Sequence, residues 1–339
     1  MEKFNWGIIG CGTIAEQMAK ALRHVENAVL YAAASRSTAK AENFAKTFGF
    51  AKNYGDYDSL LNDENVNVIY IATPHINHVQ FALQALNAGK SVLCEKPACI
   101  NQTELEKVLA AAKANNCFFM EAMWMKFQPA FAKAMQYINS GKIGKLQAVY
   151  ADICCPMEQK PGSRLYEPDL AGGALLDLGI YSLTAAFSSI SSAKNIEFSK
   201  AEPQNMVSVC QKTNTGVDGF ELISFKYEDC SAVLTSGMIC GCGSVTRQAK
   251  FIGSNGSIVL DNFWYGESLK LYDAAGKLAA DEALPFDCNG YEYEARAVQK
   301  CINEGLLECK NHSWQDSLFL CRTMDTLRKE WGVVYPTEV

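Results

Sequence analysis

The stretch NWGIIGCGTIA, residues 5–15, decides the fold that we predict for this chain. A short apolar run leads into Gly10, Gly12 follows after one residue, and Ala15 comes three residues later, which is the pattern G-x-G-x-x-A. In a strand–turn–helix unit the first glycine permits the tight turn, the second lets the backbone approach a pyrophosphate, and the small residue allows close packing of helix against strand. The N-terminus of the helix would bind the phosphates. A glycine turn in another kind of α/β protein is the alternative, because short glycine motifs also occur by chance.

Strands and helices alternate over the first third of the chain. The apolar runs are continuous, which is typical of a parallel sheet that helices cover on both faces. The pattern predicts strands at 5–10, 27–35, 66–72, 91–95 and 117–122, and helices at 13–24, 38–48, 77–87 and 102–114. We therefore predict a doubly wound α/β Rossmann domain over residues 1–122.

The pattern changes after residue 122. A helix is predicted at 129–140, and longer, more polar strands separated by turn signals follow from residue 146 onward, which is typical of an antiparallel sheet. One helix, starting at residue 173, interrupts these strands, and further helices are predicted near 291–304 and 314–330. We predict a second, α+β domain over residues 123–339.

Composition excludes several classes of partner. The 339 residues carry a formal net charge of −6 and contain no long run of lysine or arginine. This argues against nucleic acid and anionic membranes as main partners. The first residues lack the basic flank and apolar stretch of a signal peptide, and no window of roughly 18 uninterrupted apolar residues predicts a membrane span. We therefore expect a cytoplasmic protein.

The fourteen cysteines are scattered along the chain, many of them in apolar runs. Cys154-Cys155 and Cys240-Gly-Cys242 are the close pairs, and neither has a partner pair at the spacing of a zinc site. We expect reduced, mostly buried thiols that act as small apolar side chains.

The end of the second predicted strand bears on the choice of cofactor. An NAD site usually places an acid there, about 20 residues after the glycines. The sequence instead reads Ala34-Ser35-Arg36-Ser37. Arg36 can pair with a 2′-phosphate through two hydrogen bonds, and Ser35 and Ser37 can donate further ones, so NADP is favoured over NAD. Alternatively, Arg36 is an exposed arginine, or it stacks on the adenine and also accepts NAD.

A lysine stands where a reaction centre is expected. Glu95, Lys96 and Pro97 follow the predicted strand 91–95, and the carboxyl ends of strands in such a sheet face the ligand crevice. Lys96 is therefore placed to act on a substrate. Alternatively, it is a solvated surface charge.

Asp177 and Tyr181 are four residues apart on the predicted helix that starts at 173, so they share a helical face. A neighbouring ammonium favours the phenolate form of a tyrosine. Lys96 and Tyr181 would thus make a general acid/base couple for carbinol–carbonyl chemistry, with Asp177 orienting a hydroxyl or the lysine. Alternatively, Tyr181 is an ordinary aromatic residue of the core.

The segment Thr73-Pro74-His75-Ile76-Asn77-His78 forms another loop at a carboxyl end of the sheet. His75 and His78 could be half of a metal site, but the chain has only four histidines and no nearby carboxylate or cysteine completes a ligand set. We predict no metal. We expect the segment to line the nicotinamide ribose or to help hold Lys96.

Five segments together resemble the Gfo/Idh/MocA family of oxidoreductases. They are GIIGCGTIA (7–15), ASRS (34–37), IATPHINH (71–78), CEKPA (94–98) and DLGIY (177–181). Within the family, FFMEAMWMKFQP (118–129) and GGALLDLGIYSL (172–183) are most similar to the branch of dimeric dihydrodiol dehydrogenases and NADP-dependent D-xylose 1-dehydrogenases.

The resemblance implies a fold, an assembly and a set of site residues. It implies that the second domain has an open, predominantly antiparallel sheet whose face pairs with a second copy in a homodimer. Lys96 and Tyr181 correspond to the catalytic lysine and tyrosine, Asp177 and His78 to residues that support them, and Trp124 and Arg164 to the substrate pocket. The expected cofactor contacts come from Gly10, Gly12, Thr13, Ile14, Ser35, Arg36, Ser37, Thr73, Pro74, His75, His78 and Glu95.

The expected reaction is reversible hydride transfer between the nicotinamide and a ring carbon that bears a hydroxyl. A pyranose such as D-xylose, oxidised at its anomeric carbon to a lactone, is the first candidate substrate, and a trans-dihydrodiol of an aromatic compound is the second. Tyr181 would take the hydroxyl proton, and Lys96 would supply the positive charge that a metal supplies elsewhere. The alternatives are a reductase of another sugar or keto-sugar, a non-catalytic NADP-binding redox regulator and a structural dimer scaffold.

Overall fold

The structure, a computed structural model, describes residues 3–160, 162–240 and 247–338. The chain forms two compact units. The first contains Met1–Phe127 and Asp287–Leu318, and the second contains Gln128–Phe286 and Phe319–Val339. This division differs from the predicted one at 122, because residues 287–318 return to the first unit. Tyr291, Ala295 and Val298 recur at helical spacing and pack into the core of that unit.

The first unit is a Rossmann domain. Its strands are β1 (Phe4–Ile9), β2 (Ala28–Ala34), β3 (Lys52–Tyr54), β4 (Val68–Ile71), β5 (Ser91–Glu95) and β6 (Phe119–Ala122). Its helices are α1 (Thr13–Leu22), α2 (Thr38–Phe48), α3 (Tyr57–Leu61), α4 (His78–Asn87), α5 (Gln102–Ala114) and, after the return of the chain, α8 (Glu292–Asn303). The strands run parallel in the order β3-β2-β1-β4-β5-β6.

Burial on both faces explains these strands. All four residues of β4 are buried, as are the last four of β5, because helices cover both sides of a parallel sheet. The predicted α/β fold is confirmed, and the predicted boundaries are within two residues of the observed ones. The sequence pattern did not predict β3 or α3. Both are short, and β3 is an edge strand with exposed Lys52 and Asn53, so it lacks an apolar run.

The second unit combines helices with a large sheet. It contains α6 (Pro129–Asn139), β7 (Leu146–Cys154), α7 (Ile180–Lys194), β8 (Asn205–Lys212), β9 (Asp218–Lys226), β10 (Ser231–Gly237), β11 (Gln248–Gly253), β12 (Gly256–Asp261), β13 (Ser268–Asp273) and β14 (Leu278–Ala283). The helix α9 (Trp314–Trp331) begins in the first unit and continues in the second. The strand order is β14-β13-β12-β11-β7-β10-β9-β8, and neighbours are antiparallel except for the parallel pair β7 and β10.

The predominantly antiparallel sheet was predicted, but its two edge strands were not. In β8 and β14 no residue is fully buried, so neither strand shows the alternating apolar pattern of a half-buried strand. The predicted helix at 173 also differs in its first turn. It starts as a π turn at Leu175–Gly179 and becomes regular only at Ile180. Such turns are frequent at functional sites.

The segment Pro168–Lys194 is long and apolar enough to cross a membrane by length and composition alone. However, 94% of its most apolar window is buried inside the protein. The ring of Phe187 in this segment stacks on Phe225 of β9, with ring centroids 5.2 Å apart. A central core helix has this composition because it is covered on all sides.

The thirteen cysteines within the described residues are free thiols, and nine of them are buried. Burial raises the pKa values of the Cys94 and Cys99 thiols well above the ordinary value of a cysteine, which keeps both thiols protonated. Cys154 and Cys155 are both among the thirteen, whereas Cys242 lies outside the described residues.

Candidate active site

The loop between β1 and α1 requires glycine at its first position. Gly10 has a φ of +94°, and a Cβ there would lie 2.6 Å from the carbonyl oxygen of Ala72. Gly12 differs, because a Cβ there would meet nothing within 4 Å. The side chains of Thr13 and Ile14 are exposed next to it. The loop therefore leaves space over the first turn of α1, where a helix has N–H groups without intrahelical partners.

A second observation indicates that a ligand belongs to this loop. The hydroxyl oxygen of Thr73, whose methyl group would be 3.3 Å from a Cβ on Gly10, is buried and has no hydrogen-bond partner. Buried hydroxyls normally have partners in proteins. The glycine loop, the start of α1 and Thr73 therefore fit the pyrophosphate and ribose of a dinucleotide, and Gly10, Gly12, Thr13, Ile14 and Thr73 would hold it.

The end of β2 presents the serines and arginine that the sequence predicted. Ser35 is buried, and its hydroxyl accepts a hydrogen bond from the backbone N–H of Ser37 at 3.4 Å. Ser37 caps α2, accepting from the N–H of Lys40 at 3.4 Å. Arg36 is exposed and interacts with Tyr57. Burial raises the pKa of Tyr57, and the charge of Arg36 partly offsets this rise. Its guanidinium can therefore reach solvent or a phosphate, and no acid occupies residues 34–37.

Lys96 lies in a loop whose backbone is hydrogen-bonded to the buried carboxylate of Glu95. The backbone N–H of Lys96 donates to Glu95 Oε2 at 3.2 Å, and the Tyr70 hydroxyl donates to Glu95 Oε1. The peptide bond between Lys96 and Pro97 is cis. Glu95 and Tyr70 are buried, whereas Lys96 is only half-buried. The lysine thus has a fixed backbone and a side chain that can reach a ligand.

His78 ties the same loop to the loop after β4. Its Nδ1 lies 2.8 Å from the carbonyl oxygen of Pro97, and its Nε2 lies 2.8 Å from that of Thr73. His78 is buried, and the ring of buried His75 packs against it with centroids 5.8 Å apart. Of the two roles predicted for this segment, the contacts of His78 are those expected for holding the Lys96 loop.

A buried acid that the sequence did not reveal lies close to Glu95. Glu294 of α8 is buried, and neither of its carboxyl oxygens has a hydrogen-bond partner. Burial, and then the charge of Glu95, raise the pKa of Glu294 well above its usual range, which favours the neutral form of this acid.

Trp124 belongs to the first unit, although the sequence placed it in the second domain. It begins the 3-10 turn Trp124–Phe127 that follows β6. Its ring stacks on Tyr291, with centroids 4.4 Å apart and an angle of 28° between the planes. Trp124 is thus a rigid, half-buried aromatic surface, as a sugar-binding or arene-binding residue would be.

The second unit brings Asp177 and Arg164 together. The Arg164 guanidinium donates to Asp177 Oδ1 at 3.1 Å, and Asp177 is buried. Asp177 lies in the π turn, and Tyr181 follows as a buried residue in the first turn of α7. Because of the π turn, the helical faces before Ile180 are not those of a regular α-helix, on which the prediction was based.

Two further buried acids of the sheet lie next to the π turn, and one of them accepts a hydrogen bond from it. Asp218 Oδ2 accepts from the N–H of Leu175 at 2.6 Å, and Glu221 accepts from the hydroxyl of Ser236. A Cβ on Gly173 would collide with Asp218, and one on Gly179 would lie 2.9 Å from Glu221 Oε1. Burial raises the pKa of both acids, and Asp218 raises that of Glu221 further. The glycines allow these acids to approach the helix.

The predicted residues thus fall into two sets. The first unit contains the glycine loop, residues 35–37 and 73–78, Glu95, Lys96 and Trp124, and the second contains Arg164, Asp177 and Tyr181. Within residues 3–160, 162–240 and 247–338, no group of three or more histidines, cysteines and acids could hold a metal ion.

Comparison with known proteins identifies the family. The model of an oxidoreductase family with an NAD-binding Rossmann fold, GFO/IDH/MocA, matches residues 4–123. The model of the GFO/IDH/MocA C-terminal domain matches residues 131–259. The chain belongs to the GFO/IDH/MocA oxidoreductase family. The predicted family is thereby confirmed, and the first unit of this GFO/IDH/MocA protein is a nicotinamide-dinucleotide-binding domain.

Relatives at about 30% identity extend over the whole chain. A trans-1,2-dihydrobenzene-1,2-diol dehydrogenase of Danio rerio is 31% identical over 340 residues, which cover 97% of both chains. A D-xylose 1-dehydrogenase (NADP(+)) of Hypocrea jecorina is 30% identical over 371 residues, covering 98% of this chain and 93% of the other. The structure of an aldose-aldose oxidoreductase of Caulobacter crescentus has the same fold, with a TM-score of 0.85, 22% identity and 98% coverage of both chains.

Proposed function

We propose that this GFO/IDH/MocA protein is an NADP-preferring dehydrogenase of cyclic carbinols. A pyranose such as D-xylose, oxidised at C1 to a lactone, is the preferred substrate, and a trans-dihydrodiol is the second candidate. The relatives that carry these two activities in their names are 30% and 31% identical over nearly the entire chain. The observation that carries the proposal is the setting of Lys96, a half-exposed lysine whose N–H donates to a buried carboxylate and whose neighbour Pro97 contacts His78, next to a dinucleotide loop.

In this proposal the chain supplies proton transfer and positioning. Lys96 stabilises the phenolate form of Tyr181, which removes the proton from the substrate hydroxyl and becomes a neutral phenol, and Lys96 also polarises the substrate oxygen. Asp177, fixed by Arg164 at 3.1 Å, orients the hydroxyl. Trp124 offers an aromatic face to the substrate ring. NADP, when bound, supplies the hydride acceptor or donor at the nicotinamide.

Preference for NADP rests on Arg36. Residues 34–37 contain no acid to accept hydrogen bonds from a 2′-hydroxyl, and the Arg36 guanidinium is exposed where α2 begins. The Hypocrea jecorina relative has NADP(+) in its name. The fold alone does not select the cofactor, because a levoglucosan dehydrogenase solved with NADH has the same fold, with a TM-score of 0.82 and 20% identity.

A cofactor and substrate screen tests the proposal. NADP⁺ and NAD⁺ reduction is measured over pentoses, hexoses and trans-diols, for the wild type and for Arg36→Leu. We expect turnover with NADP⁺ and at least one of these substrates. In Arg36→Leu, kcat/KM for NADP⁺ should fall about 10- to 100-fold, the loss of one or two charge-assisted hydrogen bonds, while the value for NAD⁺ stays within about threefold.

Arg23→Leu is the matched control for this screen. Arg23 also belongs to the first unit, and its guanidinium donates to the carbonyl oxygen of Phe48 at 2.7 Å. Its replacement should change stability and leave cofactor preference unaltered. Absence of turnover on every cyclic carbinol would contradict the proposed function. If the ratio of kcat/KM for NADP⁺ to kcat/KM for NAD⁺ were the same in the wild type and in Arg36→Leu, the role of Arg36 would be contradicted.

We also propose a homodimer formed through one face of the eight-stranded sheet. Val207, Val209, Leu222 and Tyr150 share that face, as the strand registers show, and Val207 and Val209 are 58% and 61% exposed. The opposite face packs against α7. Several exposed apolar side chains on one face of a sheet mark an interaction surface.

Light scattering tests the assembly. We expect twice the 37.2 kDa of one chain. In Val209→Lys the added charge would have to be desolvated in the interface, so the mass should shift towards that of a single chain. A monomeric wild type would contradict the proposal.

A further inference from the structure

A buried network of charged and polar side chains lies behind the Lys96 loop in the first unit. Its members are Glu121, Lys126, His312, Asp316 and Ser317. Glu121, His312 and Asp316 are 4%, 1% and 5% exposed. The members come from β6, from the turn after it, and from His312 just before α9 and the first turn of α9, nearly 200 residues later in the chain. The proposed mechanism assigns no function to any of them.

The network contacts the loop at Ala98. The N–H of Ala98, two residues after Lys96, donates to Glu121 Oε1 at 2.9 Å. On the other side, the N–H of Lys96 donates to Glu95 Oε2. The short segment that contains Lys96 is therefore hydrogen-bonded at both ends to buried carboxylates. A shift of Glu121 would move one end of this segment.

His312 lies between Glu121 and Lys126. Its Nε2 lies 2.9 Å from Glu121 Oε2, and its Nδ1 lies 3.3 Å from Lys126 Nζ. An ammonium can only donate, so Nδ1 must accept and the ring proton must be on Nε2. The geometry therefore assigns the neutral tautomer to His312, with its N–H pointing at Glu121.

Lys126 and Asp316 complete the arrangement. Lys126 Nζ donates to Asp316 Oδ2 at 3.1 Å, which fixes the ammonium beside His312. Burial is the largest single effect on the pKa of Glu121 and Asp316 and raises both, but the hydrogen bonds and positive charges around the two acids together lower both pKa values below the ordinary ones. Both acids stay ionised. Lys126 also belongs to the turn that begins at Trp124, so the same network anchors the expected aromatic wall of the substrate site.

We propose that His312 is a positioning residue that sets the Lys96 loop through Glu121 and the Trp124 turn through Lys126. The inference rests on the proposed function in one respect, since it takes Lys96 as the residue whose placement limits turnover. His312 itself touches neither substrate nor cofactor in this account. A displacement of about 1 Å by a residue remote from the chemistry lowers a rate by about 100-fold, so the effect is measurable.

The test compares His312→Leu with His312→Gln. Leucine removes both contacts, and we expect kcat to fall about 10- to 100-fold while KM for NADP⁺ stays within about twofold. Glutamine can present an N–H to Glu121 and a carbonyl to Lys126, so it should restore kcat to within about threefold of the wild type. His24→Leu, the same change at an exposed position of the first unit, is the control.

Two measurements separate positioning from loss of stability. Hydrogen exchange at the Ala98 amide should accelerate in His312→Leu and not in His312→Gln, because that amide donates to Glu121. In a double-mutant cycle, His312→Leu should add little to the loss caused by Lys96→Met. Unchanged exchange at Ala98, additive losses, or a lower melting temperature with normal kcat would each overturn the inference.

The outcomes also separate this inference from the proposed function. Absence of wild-type turnover on every cyclic carbinol would reject the proposed function, whereas wild-type turnover by Lys96→Met would leave the activity in place and reject the inference that His312 limits turnover through Lys96. If His312→Leu does not fold, Asp316→Asn takes its place, since it frees the Lys126 ammonium without creating a cavity. It should lower kcat about 5-fold and accelerate exchange at Ala98, and an unchanged value for either would overturn the inference.

Discussion

Replacing Tyr181 by phenylalanine should lower kcat at least about 100-fold, the effect expected when a general acid/base is removed. Tyr181 is buried in the first turn of α7, directly after the π turn that contains Asp177. Phenylalanine fills the same volume and lacks only the hydroxyl, so the fold should be kept. Binding of NADP⁺, measured by fluorescence titration, should change less than about twofold, because the loss concerns proton transfer.

Tyr227→Phe is the matched control for this variant. Tyr227 is also buried in the second unit, and its hydroxyl donates to the carbonyl oxygen of Ala201 at 2.7 Å. Its replacement should cost about 1 kcal/mol of stability, the net contribution of one hydrogen bond, without an effect on kcat. If Tyr181→Phe retained wild-type turnover, Tyr181 would have no part in the chemistry and would be an ordinary core aromatic, as the sequence alone also permitted.

The sequence predicted those parts of the fold whose pattern is local. The run 91–95 matches β5 residue for residue, because all of its side chains but one are buried and the run has no polar interruption before Glu95. The strands β8 and β14 escaped prediction for the opposite reason. They are edge strands in which no residue is fully buried, and their sequences lack the alternation of apolar and polar residues that marks a half-buried strand.

The return of residues 287–318 to the first unit could not be predicted from local pattern either. The helix predicted near 291–304 was correct, but an amphipathic pattern states only that one face is buried and not what buries it. In the structure Tyr291, Ala295 and Val298 share a core with Trp6 and Ile8. Long-range packing of this kind has no signal in a single sequence.

The candidate site likewise contains residues that a local motif predicted and residues that no local motif could reveal. Gly10, Arg36 and Lys96 were found because each stands in a motif directly after a strand. Glu294 and His312 were missed, because each lies far along the chain from the residue it affects, Glu95 in one case and Glu121 in the other. Their buried, charged character is visible only once the chain has folded, since acids and histidines are ordinary on a helix surface.

Lys96→Met should lower kcat by about 100- to 1,000-fold, the effect of removing one preorganised positive group from a developing charge. Methionine keeps the length of the side chain and loses the ammonium, while the backbone bond from Lys96 N–H to Glu95 is unaffected. The matched control is Lys90→Met at the other end of the same strand, where the ammonium donates to the carbonyl oxygen of Asp63 at 2.8 Å.

Lys90 precedes β5 and Lys96 follows it, and the two ends of a strand in a parallel sheet have different surroundings. Ligands bind beyond the carboxyl ends in doubly wound sheets, so only the ammonium after Glu95 can act on a substrate. Burial lowers the pKa of Lys90, and its replacement should alter the melting temperature with kcat preserved. Steady-state rates and thermal unfolding of both variants test whether the loss in Lys96→Met concerns catalysis or stability. Equal losses of kcat in the two variants would mean that the Lys96 variant acts through stability, and normal turnover by Lys96→Met would exclude the lysine from the reaction.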